Sequence, residues 1–418
     1  MNPLQSKYWN ILAENEEKLI EIFLELDNIR SHNQLKIINA MQSVNLSHAD
    51  FHWNTGYGYA DGGREKTEEI FSNIFNVEDS LVRPSIASGT HALSLVLDAL
   101  LLPENTILSI SGAPYDTLQK VIGITGDEVG TLMEKGVKYR QLDLKDGNID
   151  IDMIDSKILS NIKLILIQRS MGYAPRPAHS IRDIETAIKK IRSIDNNIII
   201  MVDNCYGEFT CKLEPTDVNA DIAVGSLIKN PGGGIALSGG YIVGKKELIE
   251  RCANKLTAPG LGKDCGLTYG TTRSTLQGLF MAPMVVNNAM KGAILIGKVF
   301  SELGYEIIPK INHVRSDIVQ SIIFRDPEKV IQFCQSIQKA ASVDSHVTPY
   351  PWSMPGYEDE VIMASGGFVD GSSIEISADG PLRDPFIAFY QGGLSYDQCK
   401  FALINVLEDF EKRGFIKI

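Results

Sequence analysis

Cysteine is scarce in this 418-residue chain and falls into no recognisable pattern. The six thiols, Cys205, Cys211, Cys252, Cys265, Cys334 and Cys399, form no C-x-x-C pair and are too sparse to staple a chain of this length, which excludes a disulfide framework. Histidines are few and scattered, so no metal site is expected. Cations are in deficit: 40 Lys and Arg stand against 52 Asp and Glu, a formal net charge of −12. That balance argues against nucleic acid as a partner, because affinity for polyanions comes from Lys and Arg neutralising phosphates. Long apolar runs are missing too. None reaches the roughly 20 residues needed to span a bilayer, and "MNPLQSKYWNILAENEEKL" lacks the basic, apolar and small-residue succession of a signal peptide. The expectations are a cytoplasmic location and no membrane partner. Nucleotide-binding signatures are likewise missing: "NPGGGIALSGG" fits neither G-x-G-x-x-G nor G-K-[ST].

What is present is core material. Hydrophobic residues make up 44% of the chain and charged residues 22%, the balance of a folded globular protein too long for one ordinary core. Residues 1 to 45 read as a helical arm, since "ILAENEEKLIEIFLELDNI" carries apolar residues at helical spacing. Residues 46 to 304 alternate short apolar runs with helical patterns. "TILSIS", "KLILIQ", "NIIIMV" and "DIAVGS" are apolar nearly throughout, as strands covered on both faces must be. The expected fold class is α/β, a large domain with a mainly parallel sheet. Residues 305 to 418 change pattern, with strands near "SIIFRD", "EVIMAS", "SIEIS" and "FIAFYQ" forming a smaller α+β domain.

Ligands of open parallel sheets sit beyond the carboxyl ends of the strands, which directs attention to the residues after each run. Asp203 follows "NIIIMV", Tyr115 comes shortly after "TILSIS", and Ser226 and Lys229 follow "DIAVGS". Ser88, Gly89 and Thr90 open a helical pattern, where free N–H groups suit a phosphate. Singly, each has a plainer reading: a surface lysine, a turn-capping aspartate, a gap-filling tyrosine, a serine N-cap. Together and in this order they meet the demands of pyridoxal phosphate. That cofactor needs an amine for a Schiff base, a carboxylate at the pyridine nitrogen, a phosphate cradle and a flat partner for its ring. Lys229, set in "GSLIKNPGGG", is the amine; a nearby pyridinium and poor solvation would lower its pKa. Glycines beside it would let backbone approach the cofactor, and Pro231 would stop a helix there.

The blocks "TGYGYADGGREKTEEIF", "SGTHALSLVL", "VDNCYGEF", "GSLIKNPGGGIALSGGYIVG", "LTAPGLGKDCG" and "SADGPLRDPFIAFYQGGL" resemble the bacterial methionine gamma-lyase-like proteins, often labelled aluminum resistance proteins. The resemblance runs from about residue 20 to the end. It implies the aminotransferase fold of type I, the cystathionine and methionine lyase branch, and a homodimer or homotetramer whose active sites are shared between subunits. It makes Lys229 the Schiff-base lysine, Asp203 the pyridinium partner, Tyr115 the stacking ring and Ser226 a phosphate ligand. Tyr57 or Tyr59 with Arg64 would reach a neighbouring subunit's phosphate. Arg383 would take the substrate carboxylate, or else pair with Asp384 or Asp379. Two departures stand out: Ile228 replaces the Thr usual before the lysine, and "GYGYADGGR" replaces a shorter Y-S-R element. The expected activity is elimination of a thiol from an amino-acid substrate, with Lys229 moving the Cα proton and Tyr115, Tyr57 or Tyr59 as acid. Transamination, and cofactor binding in a regulatory or stress role with little catalysis, are the alternatives.

Overall fold

The computed structural model describes residues 6–354 and 357–418. Two helices come first, α1 (Lys7–Glu17) and α2 (Ile20–Ser43). The large sheet and its helices follow as α3 (Gly62–Phe75), β1 (Asp79–Arg83), α4 (Gly89–Leu100), β2 (Thr106–Ser109), α5 (Asp116–Ile122), β3 (Lys138–Gln141), β4 (Ile162–Gln168), α6 (Ile181–Arg192), β5 (Ile199–Asp203), β6 (Ile222–Ser226), β7 (Gly240–Gly244) and α7 (Lys246–Leu256). Strand order is β1-β7-β6-β5-β4-β2-β3. The run from β6 to β3 is parallel, and β7 lies antiparallel to both β6 and β1.

Burial explains these elements. Every residue of β4 except Lys163 is buried, because apolar clusters cover both faces of the sheet. Helix α6 shows how a covering helix is specified. Ser180 and Asp183 form a capping box, Ile181, Ile184, Ile188 and Ile191 make one buried stripe, and Lys189, Lys190 and Arg192 meet the negative end of the helix dipole.

Helix α8 (Thr272–Glu302) links this body to the rest. By length and overall composition it could cross a membrane, although no uninterrupted apolar run in it reaches about 20 residues. Its apolar stretch is interrupted by Asn287, Asn288 and the charged Lys291 and Lys298. In the fold it is a core helix, with 72% of its apolar window buried against neighbours that include α2 and the small domain.

The small domain comprises β8 (Glu306–Ile308), β9 (Val319–Ile323), α9 (Pro327–Gln338), β10 (Val361–Ser365), β11 (Ser377–Pro381), β12 (Ile387–Gln391) and α10 (Tyr396–Lys412). Its sheet, ordered β10-β11-β12-β9-β8, is antiparallel throughout. The "SIEIS" strand is corrected: only Ser377 belongs to β11. The Glu375 carboxylate instead accepts from the N–H groups of Phe368 and Val369 at 2.7 and 2.8 Å, which ties residues 368–375 into a turn. The amino-terminal arm joins the small domain, as Tyr8 and Lys7 bond to Glu411 and Lys400 to Glu16.

Candidate active site

Because β4, β5 and β6 are parallel, their carboxyl ends share one edge, and Asp203 and Ser226 are the last residues of β5 and β6. Lys229 lies in the turn after β6, and its ammonium sits 4.1 Å above the centre of the Tyr206 ring. Tyr206 escaped sequence reasoning. Its signal was an aromatic three residues after Asp203 in "VDNCYGEF", held at a φ of +68° and fixed by a 2.8 Å bond between its hydroxyl and Ser373 of the small domain.

The lysine's own surroundings act in the opposite direction to the lowering expected with a pyridinium beside it. Burial does oppose the charge, but Cys205, Tyr206, Asp203 and Glu208 surround the amine and together raise its pKa. The chain's own groups here are acids, so the protein contributes an upward shift. Burial also raises Asp203, offset by the charge of Lys229 and by the Cys205 N–H donating to Oδ1 at 3.1 Å. Glu208, fully buried, is pushed up to about 8.

Opposite this edge, α4 begins. Ser88 is an N-cap whose Oγ accepts from the His91 N–H at 3.0 Å, so its plainer reading is what the structure shows. The N–H groups of Gly89 and Thr90 precede any intrahelical acceptor. Gly89 sits close to the loop after Asp203: a Cβ there would lie 3.3 Å from Cys205 Sγ and 3.4 Å from Ser226 Cβ. The helix start, Ser226 and the Asp203 loop are therefore one locality. Thr90 Oγ1 bonds Thr117 at 2.9 Å.

The glycines after Lys229 meet a packing requirement of the chain itself. A Cβ on Gly232 would lie 2.0 Å from the Leu227 carbonyl oxygen, and one on Gly233 would lie 2.6 Å from that of Gly278 in α8. They seat the lysine turn on the core helix. Pro231 does not prevent helical backbone; it lies in a single 3-10 turn, Asn230–Gly232.

Tyr115 caps α5, and its hydroxyl bonds that of Tyr357 at 2.7 Å. Tyr173 stands 5.5 Å away, ring centre to ring centre, and touches Phe389 of β12 at 5.1 Å. Between the domains Tyr115, Tyr173 and Phe389 line a cavity of about 230 Å³ together with Asp116 and Arg383. Arg383 is half exposed and pairs at 3.0 Å with Asp359, neither Asp384 nor Asp379. Tyr173, Tyr357 and Asp379 were all missed, because folding recruits them from segments far from Lys229.

Tyr57 and Tyr59 are exposed and lie against each other at 5.7 Å. Arg64 is buried, and its guanidinium donates to the carbonyls of Gly58, Gly266 and Asp264 of its own chain. Within one chain it joins two loops, and none of its hydrogen bonds goes to Lys229 or Ser226. His48 and His52 stand four residues apart, yet no three potential metal ligands cluster among the described residues.

The methionine gamma-lyase family model matches residues 8–411. The chain belongs to the methionine gamma-lyase family. YnbB of Bacillus subtilis is 44% identical over 405 residues, covering 96% of both chains. A crystal structure from Clostridium novyi, described as a carbon–sulfur lyase involved in aluminum resistance, is similar with a TM-score of 0.91 and 46% identity, covering 96% of this chain and 95% of that one. Another from Clostridium acetobutylicum, described as a candidate cystathionine beta-lyase involved in aluminum resistance, gives 0.93 and 45% with the same coverage. The pyridoxal-5'-phosphate dependent protein YhfS of Escherichia coli shares the fold at a TM-score of 0.63 and 14% identity, covering 93% of this chain and 97% of its own.

Proposed function

We propose that this protein is a pyridoxal phosphate-dependent carbon–sulfur lyase that eliminates a thiol from a sulfur-containing amino acid. The observation that carries the reading is the meeting of Lys229, Asp203, Ser226 and the start of α4 at one edge of the sheet, with Gly89 leaving a cradle that a side chain would fill. These residues fit the cofactor. The N–H groups of Gly89 and Thr90, with Ser88 and Ser226, would hold its phosphate, Asp203 its ring nitrogen, Tyr115 its ring face and Lys229 its carbonyl carbon. Pyridoxal phosphate, when bound, supplies a carbonyl for amines and an electron sink for cleavage of the substrate Cα–H bond.

The chain handles the protons. Lys229 must first give up the proton that its acidic neighbours favour, and its neutral Nζ then takes the substrate's Cα proton. Tyr115 holds its phenolic proton firmly, since burial and then Tyr357 raise its pKa, so it reaches the leaving sulfur as an acid. Asp203 is buried, so water would be kept from the ring nitrogen it would hold. A homodimer or homotetramer in which Tyr57, Tyr59 and Arg64 complete a neighbouring subunit's site, and a cytoplasmic setting, belong to the same proposal.

The test is spectroscopic and then chemical. The purified protein is expected to show a visible band that borohydride abolishes, with a reduced adduct on the Lys229 peptide. Lys229→Ala should lose the adduct and at least 1,000-fold of turnover, about 4 kcal/mol. Full activity in that variant would sink the mechanism. Ammonia and a keto acid formed without an acceptor identify elimination, whereas a requirement for an acceptor keto acid would indicate transamination.

A further inference from the structure

One face of the small sheet forms the far wall of the interdomain crevice. Side chains alternate along a strand, so Ser377, Asp379 and Pro381 of β11 share that face, and in register beside them stand Gln391 and Phe389 of β12. Pro381, Phe389 and Ile387 line the cavity, and Val319, Ile323, Ile387, Phe389, Met171 and Tyr173 form the apolar cluster between the domains.

This wall carries three buried oxygens with no hydrogen-bond partner: Ser377 Oγ, Asp379 Oδ1 and, across the crevice, Tyr173 Oη. Their residues are only 5%, 4% and 9% exposed. Asp379 is fixed rather than loose, because its Oδ2 accepts from Gln391 Nε2 at 3.0 Å. The Tyr173 hydroxyl lies close enough to ease ionisation of Asp379, yet no bond of good length and angle closes between them. A native fold seldom leaves even one such atom unpaired, since each costs about 1–3 kcal/mol. Ser377 and Asp379 stand on the sheet face that Pro381 and Phe389 present to the cavity, and Tyr173 lines that cavity from the other side.

We propose that Ser377, Asp379 and Tyr173 bind a primary ammonium group at the end of the substrate's side chain. Three acceptor oxygens match the three N–H donors of an ammonium, and a carboxylate supplies the opposite charge. The mouth of the crevice agrees in sign. Asp116, Glu358 and Asp359 gather around the single Arg383, which Asp359 already neutralises. This inference rests on the lyase reading and deepens it, assigning the site amino acids with a second amine in preference to plain thioethers.

The test uses two probes of one shape, L-ornithine and L-norleucine, in which an ammonium replaces a methyl. Cofactor uptake is read first by absorbance; binding of each probe to the loaded protein is then measured by calorimetry. Ornithine should bind at least 10-fold more tightly than norleucine. Asp379→Asn, which keeps the shape and can still accept from Gln391, should erase most of that preference while leaving norleucine affinity unchanged. Tyr173→Phe should reduce it several-fold. Equal binding of the two probes by the natural chain, or an undiminished preference in Asp379→Asn, would overturn the inference alone. A chain that takes up no cofactor would overturn the lyase reading and this inference with it.

Discussion

Two buried carboxylates, Glu214 and Asp379, have opposite surroundings. Glu214 lies under the Asp203 loop and is fully satisfied: it accepts from Arg169 at 3.3 Å, from Asn204 at 3.1 Å and from the Phe209 N–H at 2.9 Å. Arg169, itself fully buried, also reaches Asn204 Oδ1, Thr210 and Ser316, so one guanidinium ties the strand end, the loop and the entry to the small domain. Asp379, in the wall opposite, has one partner and one bare oxygen. The closed network is scaffold and the open one is site. A satisfied buried charge holds shape, while an unsatisfied one is kept for something that arrives.

The comparison can be broken by mutation. Arg169→Met should lower the free energy of unfolding by about 3–5 kcal/mol, because it strands Glu214 as a buried charge without its cation. Asp379→Asn should cost nothing measurable or stabilise, since an amide is cheaper to bury than a carboxylate and can donate toward Tyr173. Urea denaturation of the two variants beside the natural chain decides it. If Asp379→Asn were the more damaging of the two, the assignment of scaffold and site would be reversed.

A gentler probe is pH. Burial pushes Asp379 up to about 7 from an ordinary 3.8, with Tyr173 and Lys229 pulling the other way. Between about pH 4 and pH 7 the folded chain therefore holds a proton that the unfolded chain has lost. The folded state binds more protons, so this group's contribution to stability falls as pH rises through that window and is level above it. Glu208, raised to about 8, acts in the same direction over an overlapping range. The difference between the natural chain and Asp379→Asn isolates the one group: the variant's advantage should grow from pH 4 to pH 7 and then stay constant. An advantage independent of pH would mean that Asp379 ionises in the fold as it does in water.

The same contrast shows what sequence could reveal. "KLILIQ" reads as a strand because a strand covered on both faces must be apolar at nearly every position, and Asp203 and Lys229 stand out as the polar residues ending such runs. The edge strand "KYRQ" does not, since three of its four residues face outward. "SIEIS" alternates like a strand, but Glu375 spends its carboxylate on two loop N–H groups, a choice no periodicity records. Tyr173, Tyr357 and Asp379 approach the lysine only after the small domain folds back, about 200 residues of chain separating Tyr173 from Asp379. Arg383 and Asp379 sit four residues apart in sequence, where Arg383 reads as a site residue and Asp379 only as its alternative ion partner. Only the strand register separates the half-exposed arginine from the buried acid.

The smallest expected effect concerns Ile228, where the resemblance leads one to look for a phosphate-binding threonine. Ile228 is tied to the small domain: its carbonyl accepts from Ser372 Oγ at 2.8 Å, and its Cδ1 lies 3.6 Å from where a Cβ on Gly371 would stand. The side chain therefore packs toward the turn that Glu375 organises, and the position serves the contact between domains. Ile228→Thr should remove part of an apolar contact at a cost of about 1 kcal/mol, while pyridoxal phosphate affinity changes by less than about threefold. Equilibrium dialysis of the cofactor against both chains measures the second quantity directly. A tenfold gain in affinity would show that the threonine hydroxyl reaches the phosphate, and that the departure at 228 removes a ligand from the cradle instead of adding a brace to the wall.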